Sequence, residues 1–243
     1  MAAENRHSGE MILSLTGRLI LDLLTALCIL FSLAYRITGD AAHEWIGFSA
    51  SGLLVFHNCI HWSWYQKIFK GRYGFKRALN TAINMILLAT AVALLTSGLL
   101  QSRTIFSFMH LSGGMLLRRV HTFVAYWGLL LVSIHIGIHW EIICNVISRT
   151  MRNTGIVRFP GIITHCLAAL VFLYGLDSFF ERDMPAKLFL GYSFDFWDEE
   201  KSKILFFAEN TAIMIVCIWI AHYLTKFIGY IKARNEKYRA NGK

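Results

Sequence analysis

The run Val120-His121-Thr122-Phe123-Val124-Ala125-Tyr126-Trp127-Gly128-Leu129-Leu130-Leu131-Val132-Ser133-Ile134-His135-Ile136-Gly137-Ile138-His139-Trp140 contains no Asp, Glu, Lys or Arg, yet it holds three histidines. Its length matches the roughly 20 residues that cross a bilayer as helix. Ionisable groups in such a run are costly in lipid, and they mark function more often than packing. His121 and His135 stand fourteen residues apart, and the second apolar run of the chain repeats the spacing with His43 and His57. Fourteen residues is nearly four helical turns. The two side chains of each run therefore lie within about 40° of one face, about 21 Å apart along the axis.

Six apolar segments can be drawn along the 243 residues, at about 13–36, 43–65, 78–100, 119–143, 161–180 and 204–228. Polar or glycine-bearing breaks separate them, among them Thr38-Gly39-Asp40, Lys70-Gly71-Arg72-Tyr73-Gly74, Ser112-Gly113-Gly114 and Asn153-Thr154-Gly155. The expected fold is an all-α integral membrane bundle of six transmembrane helices forming a single membrane domain over 1–243. Composition agrees: 56% of residues are hydrophobic, 16% are charged and the mean hydropathy is +0.48. A soluble domain carries about 25% charge. The first apolar run, Leu19 to Tyr35, is long for a leader and lacks a small-residue cleavage pattern, so it reads as a span.

The net charge of +9 does not predict nucleic acid as a partner, because the positives do not form a stripe on one face. They follow helix 2 (Lys67, Lys70, Arg72, Lys76, Arg77) and helix 4 (Arg149, Arg152, Arg158), and they fill the tail (Lys232, Arg234, Lys237, Arg239, Lys243). The segment after helix 5 is acidic instead, with Glu181, Asp183, Asp195, Asp198, Glu199 and Glu200. This asymmetry predicts both termini on the cytoplasmic side. Arg103, Arg118 and Arg119 then fall on the outer side, against the trend. Trp62, Trp64 and Trp140 mark the inner ends of helices 2 and 4, as an interfacial belt does. The five cysteines form neither CxxC nor CxxCH, so neither a zinc site nor covalent c-type haem attachment is indicated.

Helices 2 and 4 are separated by one antiparallel helix, so they run parallel. His43 then faces His121 near the outer surface, and His57 faces His135 in the inner half. Two stacked imidazole pairs suit axial ligation of two b-type haems. Bis-histidine ligation leaves no open position for oxygen and favours electron transfer. Ala50 and Gly128, seven residues beyond each upper histidine, are small enough to admit macrocycles or close helix approach. His61 and His139 stand eighteen residues from His43 and His121, five whole turns, and they compete with His57 and His135 for the inner level. The fourteen-residue pair keeps that level deeper in the bilayer, leaving His61 and His139 as propionate or quinone contacts. Arg118 and Arg119 suit either haem propionates or lipid headgroups. His165 and His222 are candidates for a cytoplasmic-side quinone site, whereas His110, Asp177 and Glu209 receive no role. Arg18 and Asp22 are spaced for an i,i+4 ion pair on helix 1.

Several stretches resemble the flavinylation-associated cytochrome family, prokaryotic membrane proteins related in plan to the cytochrome b of respiratory bc complexes. They are His43-Glu44-Trp45-Ile46-Gly47 with His57-Asn58, Trp64-Tyr65-Gln66-Lys67-Ile68-Phe69-Lys70-Gly71-Arg72-Tyr73, Ser97-Gly98, Val120-His121 through Tyr126-Trp127-Gly128, and Ser133 to Trp140. The loop Lys187-Leu188-Phe189-Leu190 to Phe194-Asp195-Phe196-Trp197-Asp198 has the same look. The resemblance covers nearly the whole chain, and the two histidine motifs are its specific part. It implies a cytochrome b-like four-helix haem core with two further helices, in a prokaryotic inner membrane. His43, His57, His121 and His135 would be the iron ligands, often beside an extracellular flavin-carrying partner. Asparagine is commoner in that family where His61 stands, which argues against His61 as an essential ligand. No flavin-attachment motif is present, so any flavin belongs to a partner.

The expected function is a b-type diheme cytochrome that passes electrons between a quinol or inner-side donor and an outward-facing redox partner, with membrane lipid around it. One alternative is the cytochrome b anchor of a dehydrogenase or reductase. Another is a haem-free, histidine-lined transporter, for which the repeated fourteen-residue spacing would be coincidence.

Overall fold

The computed structural model describes residues 15–109, 113–154, 161–191 and 202–241, all of them helix, turn or coil. His110, Arg158, Lys243 and the acidic stretch 195–200 lie outside the described residues, as does the 194–198 part of the resembling loop. The main helices are α1 (Leu15–Leu33), α3 (Asp40–Ile60), α5 (Phe75–Gln101), α6 (Met115–Ile138), α8 (Gly161–Glu181) and α10 (Lys203–Asn241). Four short helices join them: α2 (Tyr35–Thr38), α4 (Trp62–Lys67), α7 (Trp140–Thr154) and α9 (Met184–Leu188).

Four helices, α1, α5, α6 and α10, are long and apolar enough to cross a membrane. The protein is therefore a helical membrane protein by length and composition. The other two expected spans coincide with α3 and α8, each of 21 residues. Asp40, His43, Glu44, His57 and Asn58 make α3 the more polar of these two. The outer surface is as apolar as lipid contact requires: Leu23, Val55, Leu170 and Leu173 each expose 60–64% of their surface. Polar groups instead turn inward, with Ser97, Ser133, Glu209 and Asn210 all buried. A soluble protein distributes them the other way round.

The bundle is built around α6. It packs against α5 on one side and α10 on the other, while α10 also packs against α8 and α1 lies along α3. Two glycines set how closely α10 is approached. A Cβ at Gly137 would stand 2.5 Å from the Ile218 carbonyl oxygen, and one at Gly175 would stand 2.6 Å from that of Ala212. Small residues at such crossings let backbones meet where apolar burial gives helices little preference over lipid. At the end of α8, Arg182 pairs with Glu209 of α10, both nearly fully buried, and the guanidinium stacks over Phe206.

Two expected spans are interrupted. The segment 43–65 breaks at His61, between α3 and α4, and 119–143 breaks at His139, between α6 and α7. Both residues leave helical geometry, at φ −93° and ψ 17° for His61 and φ −96° and ψ 7° for His139. Each turn tightens, with Trp64 N donating to the His61 carbonyl at 2.9 Å and Ile142 N to that of His139 at 3.0 Å. The helical bonds from His61 N to the His57 carbonyl at 3.1 Å and from His139 N to the His135 carbonyl at 3.3 Å keep both histidines in the register of α3 and α6, so each break falls just after them. At the far end of the chain, α10 continues beyond the expected 204–228 to Asn241, about 58 Å in all and longer than a bilayer core.

Replacing Gly137 with leucine is expected to cost about 1–3 kcal/mol of stability, because the α6–α10 backbones must separate. Gly229→Ala, where the added carbon meets no other helix or side chain within 4 Å, is expected to raise stability by up to about 1 kcal/mol, because alanine suits a helix interior better than glycine. Thermal unfolding midpoints of the two variants in detergent measure the difference.

Candidate functional site

Between α3 on one side and α5 and α6 on the other runs a cavity of about 1870 Å³, walled also by α1 and α10. A single ligand site typically takes about 300–1,000 Å³, so the space is enough for two. All six candidate histidines of α3, α6 and their breaks line it: His43, His57, His61, His121, His135 and His139. Ala50 and Gly128 line it midway. A Cβ on Gly128 would meet Thr90 and Leu94 of α5 at 3.4 and 3.6 Å, in ordinary contact.

At one end of the cavity, expected to face outward and called the outer level, the His43 and His121 ring centres lie 6.1 Å apart. Two metal–imidazole bonds of about 2 Å through one ion would place ring centres roughly 6.3 Å apart. The nitrogen roles can be read from the hydrogen bonds. His43 Nδ1 donates to the Ser32 carbonyl of α1 at 2.7 Å. His121 Nδ1 lies 2.8 Å from Ser97 Oγ of α5. That hydroxyl already donates to the Ala93 carbonyl, so it accepts from His121. Both rings therefore keep their proton on Nδ1, and Nε2 carries the lone pair a metal needs. Gly98 lies beside this ring: a Cβ there would stand 3.5 Å from His121 Cε1, an ordinary contact.

At the inner level His57 Nδ1 donates to Asp22 Oδ1 of α1 at 2.7 Å. Asp22 thus reaches across to α3, which the i,i+4 reading with Arg18 did not anticipate. His135 is close enough to His57, His61 and Asp22 for direct electrostatic interaction. Its Nδ1 is buried and has no hydrogen-bond partner among the described residues. His61 and His139 stack on their helix neighbours, with ring centres 4.7 Å from His57 and 4.8 Å from His135. His139 Nε2 donates to Asn80 Oδ1 of α5 at 3.0 Å. Asp22, His57 and His61 offer ligand atoms all within 4.8 Å of one another.

Arg118 and Arg119 both line the outer end of the cavity, and Arg119 donates to the Leu190 carbonyl. Two further cations there were not singled out from the sequence. Arg182 lines the cavity as well as pairing with Glu209, and Lys187 is buried over the Tyr126 ring. Glu44 closes the same end. Its carboxylate accepts from Ser102 Oγ at 2.7 Å and from the backbone N–H groups of Arg103, Thr104 and Ile105 at 2.7–3.2 Å. His222 is stacked on Tyr223 and does not line the cavity, and Asp177 is exposed. The His165 side chain lies outside the described residues.

No family model matches the chain, and neither a curated protein nor a solved structure is significantly similar to it. The chemistry of the site rests on its own geometry.

A Glu44→Ala variant is expected to free the 102–105 loop from α3. Amide hydrogen exchange at Arg103 to Ile105 should rise at least tenfold, with exchange at the centre of α6 unchanged.

Proposed function

We propose that this chain is a b-type diheme cytochrome, of the kind its histidine motifs resemble, which carries electrons across a prokaryotic inner membrane. The observation that carries the reading is the outer pair: two imidazoles 6.1 Å apart, both with Nδ1 already bonded and Nε2 left for a metal. The cavity volume and the buried, unpartnered His135 nitrogen support a bound group at both levels. His43 and His121 would hold the outer haem, and His57 and His135 the inner one. Haem, when bound, supplies a one-electron couple.

The protein residues do the remainder. Ser32, Ser97 and Asp22 hold three of the four rings in one tautomer. The apolar walls of α1, α5 and α10 keep water out, and Arg118, Arg119 and Lys187 offer counter-charges to propionates. In this reading α3 and α8 complete six spans, and both termini are cytoplasmic. The inner donor is a quinol or another reductant, and the outer partner is a redox protein, flavin-bearing in the resembling family. His61 and His139, at the inner mouth, would contact quinone or propionate.

Haem-replete expression should give Soret and α bands and two haems per chain. His121→Ala should retain one, and His61→Ala should retain two; loss of the inner haem in His61→Ala would instead make His61 its ligand. Pyridine haemochrome assay on purified protein counts them.

A second reading draws on the Asp22–His57–His61 cluster, whose ligand atoms lie within coordination reach of one non-haem divalent cation. It predicts one tightly bound metal per chain by elemental analysis and no haem at the inner level.

A further inference from the structure

The two histidine levels differ in what holds their rings. At the outer level both Nδ1–H groups donate to neutral oxygens, the Ser32 carbonyl and the Ser97 hydroxyl. At the inner level the His57 Nδ1–H donates to a carboxylate at 2.7 Å. A carboxylate partner makes an imidazole a stronger electron donor and gives it partial imidazolate character. Stronger donation favours the oxidised metal, which lowers the reduction potential of whatever iron the ring ligates.

The surrounding charge acts in the same direction. Arg36, Arg103, Arg118, Arg119 and Lys187 line the outer end against Asp40 and Glu44. The Glu44 charge is also spread over a hydroxyl and three backbone donors. Net positive charge favours the electron-bearing state, the buried Lys187 more strongly than the exposed Arg36, Arg103 and Arg118, which solvent screens. At the inner end Arg18 lines the cavity one turn from Asp22, and Lys76 acts on His139. The group in direct hydrogen-bond contact with the His57 ring is the Asp22 carboxylate.

We infer that Asp22 is a positioning residue that sets the inner level at a lower potential than the outer one, so that electrons are driven outward through this protein. The inference rests on the proposed function and adds to it the residue that orders the potentials of the two levels. Iron held by His57 and His135, and iron held by His43 and His121, would each supply a one-electron couple, and the lower potential at the His57 level would favour transfer of one electron at a time toward the His43 level. The reductant is the inner-side donor. If that donor is a quinol, its two electrons leave in two such steps and its two protons go to water on the same side. The oxidant is the outward-facing partner.

Potentiometric titration of the purified full chain with its haems, followed at the α band, tests this. Two one-electron waves are expected. In His121→Ala, which removes an outer ligand, the surviving wave is the lower of the two; survival of the higher wave overturns the inference. In Asp22→Asn the amide oxygen still accepts from His57 but the charge is gone, so the lower wave rises while the upper stays in place. Asp22→Glu, which keeps the charge, stays near the parent value. A lower wave that does not move in Asp22→Asn removes Asp22 from the account. Should Asp22→Asn hold no inner haem, the wave order in His121→Ala and the parent-like potential of Asp22→Glu decide instead. Absence of Soret and α bands would overturn the cytochrome reading itself, a different outcome from two haems in the opposite order.

Discussion

An imidazole inside a lipid-solvated bundle has two nitrogens to satisfy, and water is not there to do it. Burying an unpaired polar group costs several kcal/mol, roughly 2–7 by transfer scales. The chain meets this cost with a cross-helix partner for four of the six cavity histidines: Ser32 of α1 for His43, Ser97 of α5 for His121, Asp22 of α1 for His57 and Asn80 of α5 for His139. These bonds tie α1 to α3 and α5 to α6, the two helix pairs that flank the cavity. The same bonds orient the free nitrogens, so the support of the bundle and the chemistry of the site are one set of interactions.

The open space follows from this pairing. Because α3 is held by α1, and α6 by α5 and α10, the two histidine-bearing helices need not pack on each other. They meet across the cavity, where their rings face. Glu44 then fastens the outer end of α3 to the loop after α5, and the Gly137 crossing seats α6 against α10. Only at the two inner breaks does the helical geometry of α3 and α6 give way, at His61 and His139. Those two residues sit beside Trp62 and Trp140, where a helix can end in headgroups and its freed carbonyls can be satisfied.

The inner and outer levels look alike in sequence, a histidine fourteen residues beyond another. In space they are chemically unlike. The outer level has neutral acceptors and a basic rim; the inner level has a carboxylate in direct contact with a ring. Any redox group held at both levels would feel two different fields, which is the physical basis for directional transfer.

Helical membrane character and the register of the histidines were legible from the chain alone, because hydropathy and the 3.6-residue period are local properties. The expectation that His43 and His121 share a level follows from that register and the parallel course of two spans, and the 6.1 Å ring separation agrees with it. Ser97 stood within a resembling stretch, and the polar Asn80 in an apolar helix was a signal that could have been read. Asp22 could not be assigned this way: its spacing to Arg18 is visible along the helix, whereas its bond to His57 joins residues thirty-five positions apart. Nor was the break at His61 visible, since it has beside it neither the proline nor the glycine that usually announces one. What the chain determined by itself was which residues share a helix face. Which oxygen each ring nitrogen meets was decided only when the helices packed, because that depends on distances between helices that no local pattern encodes.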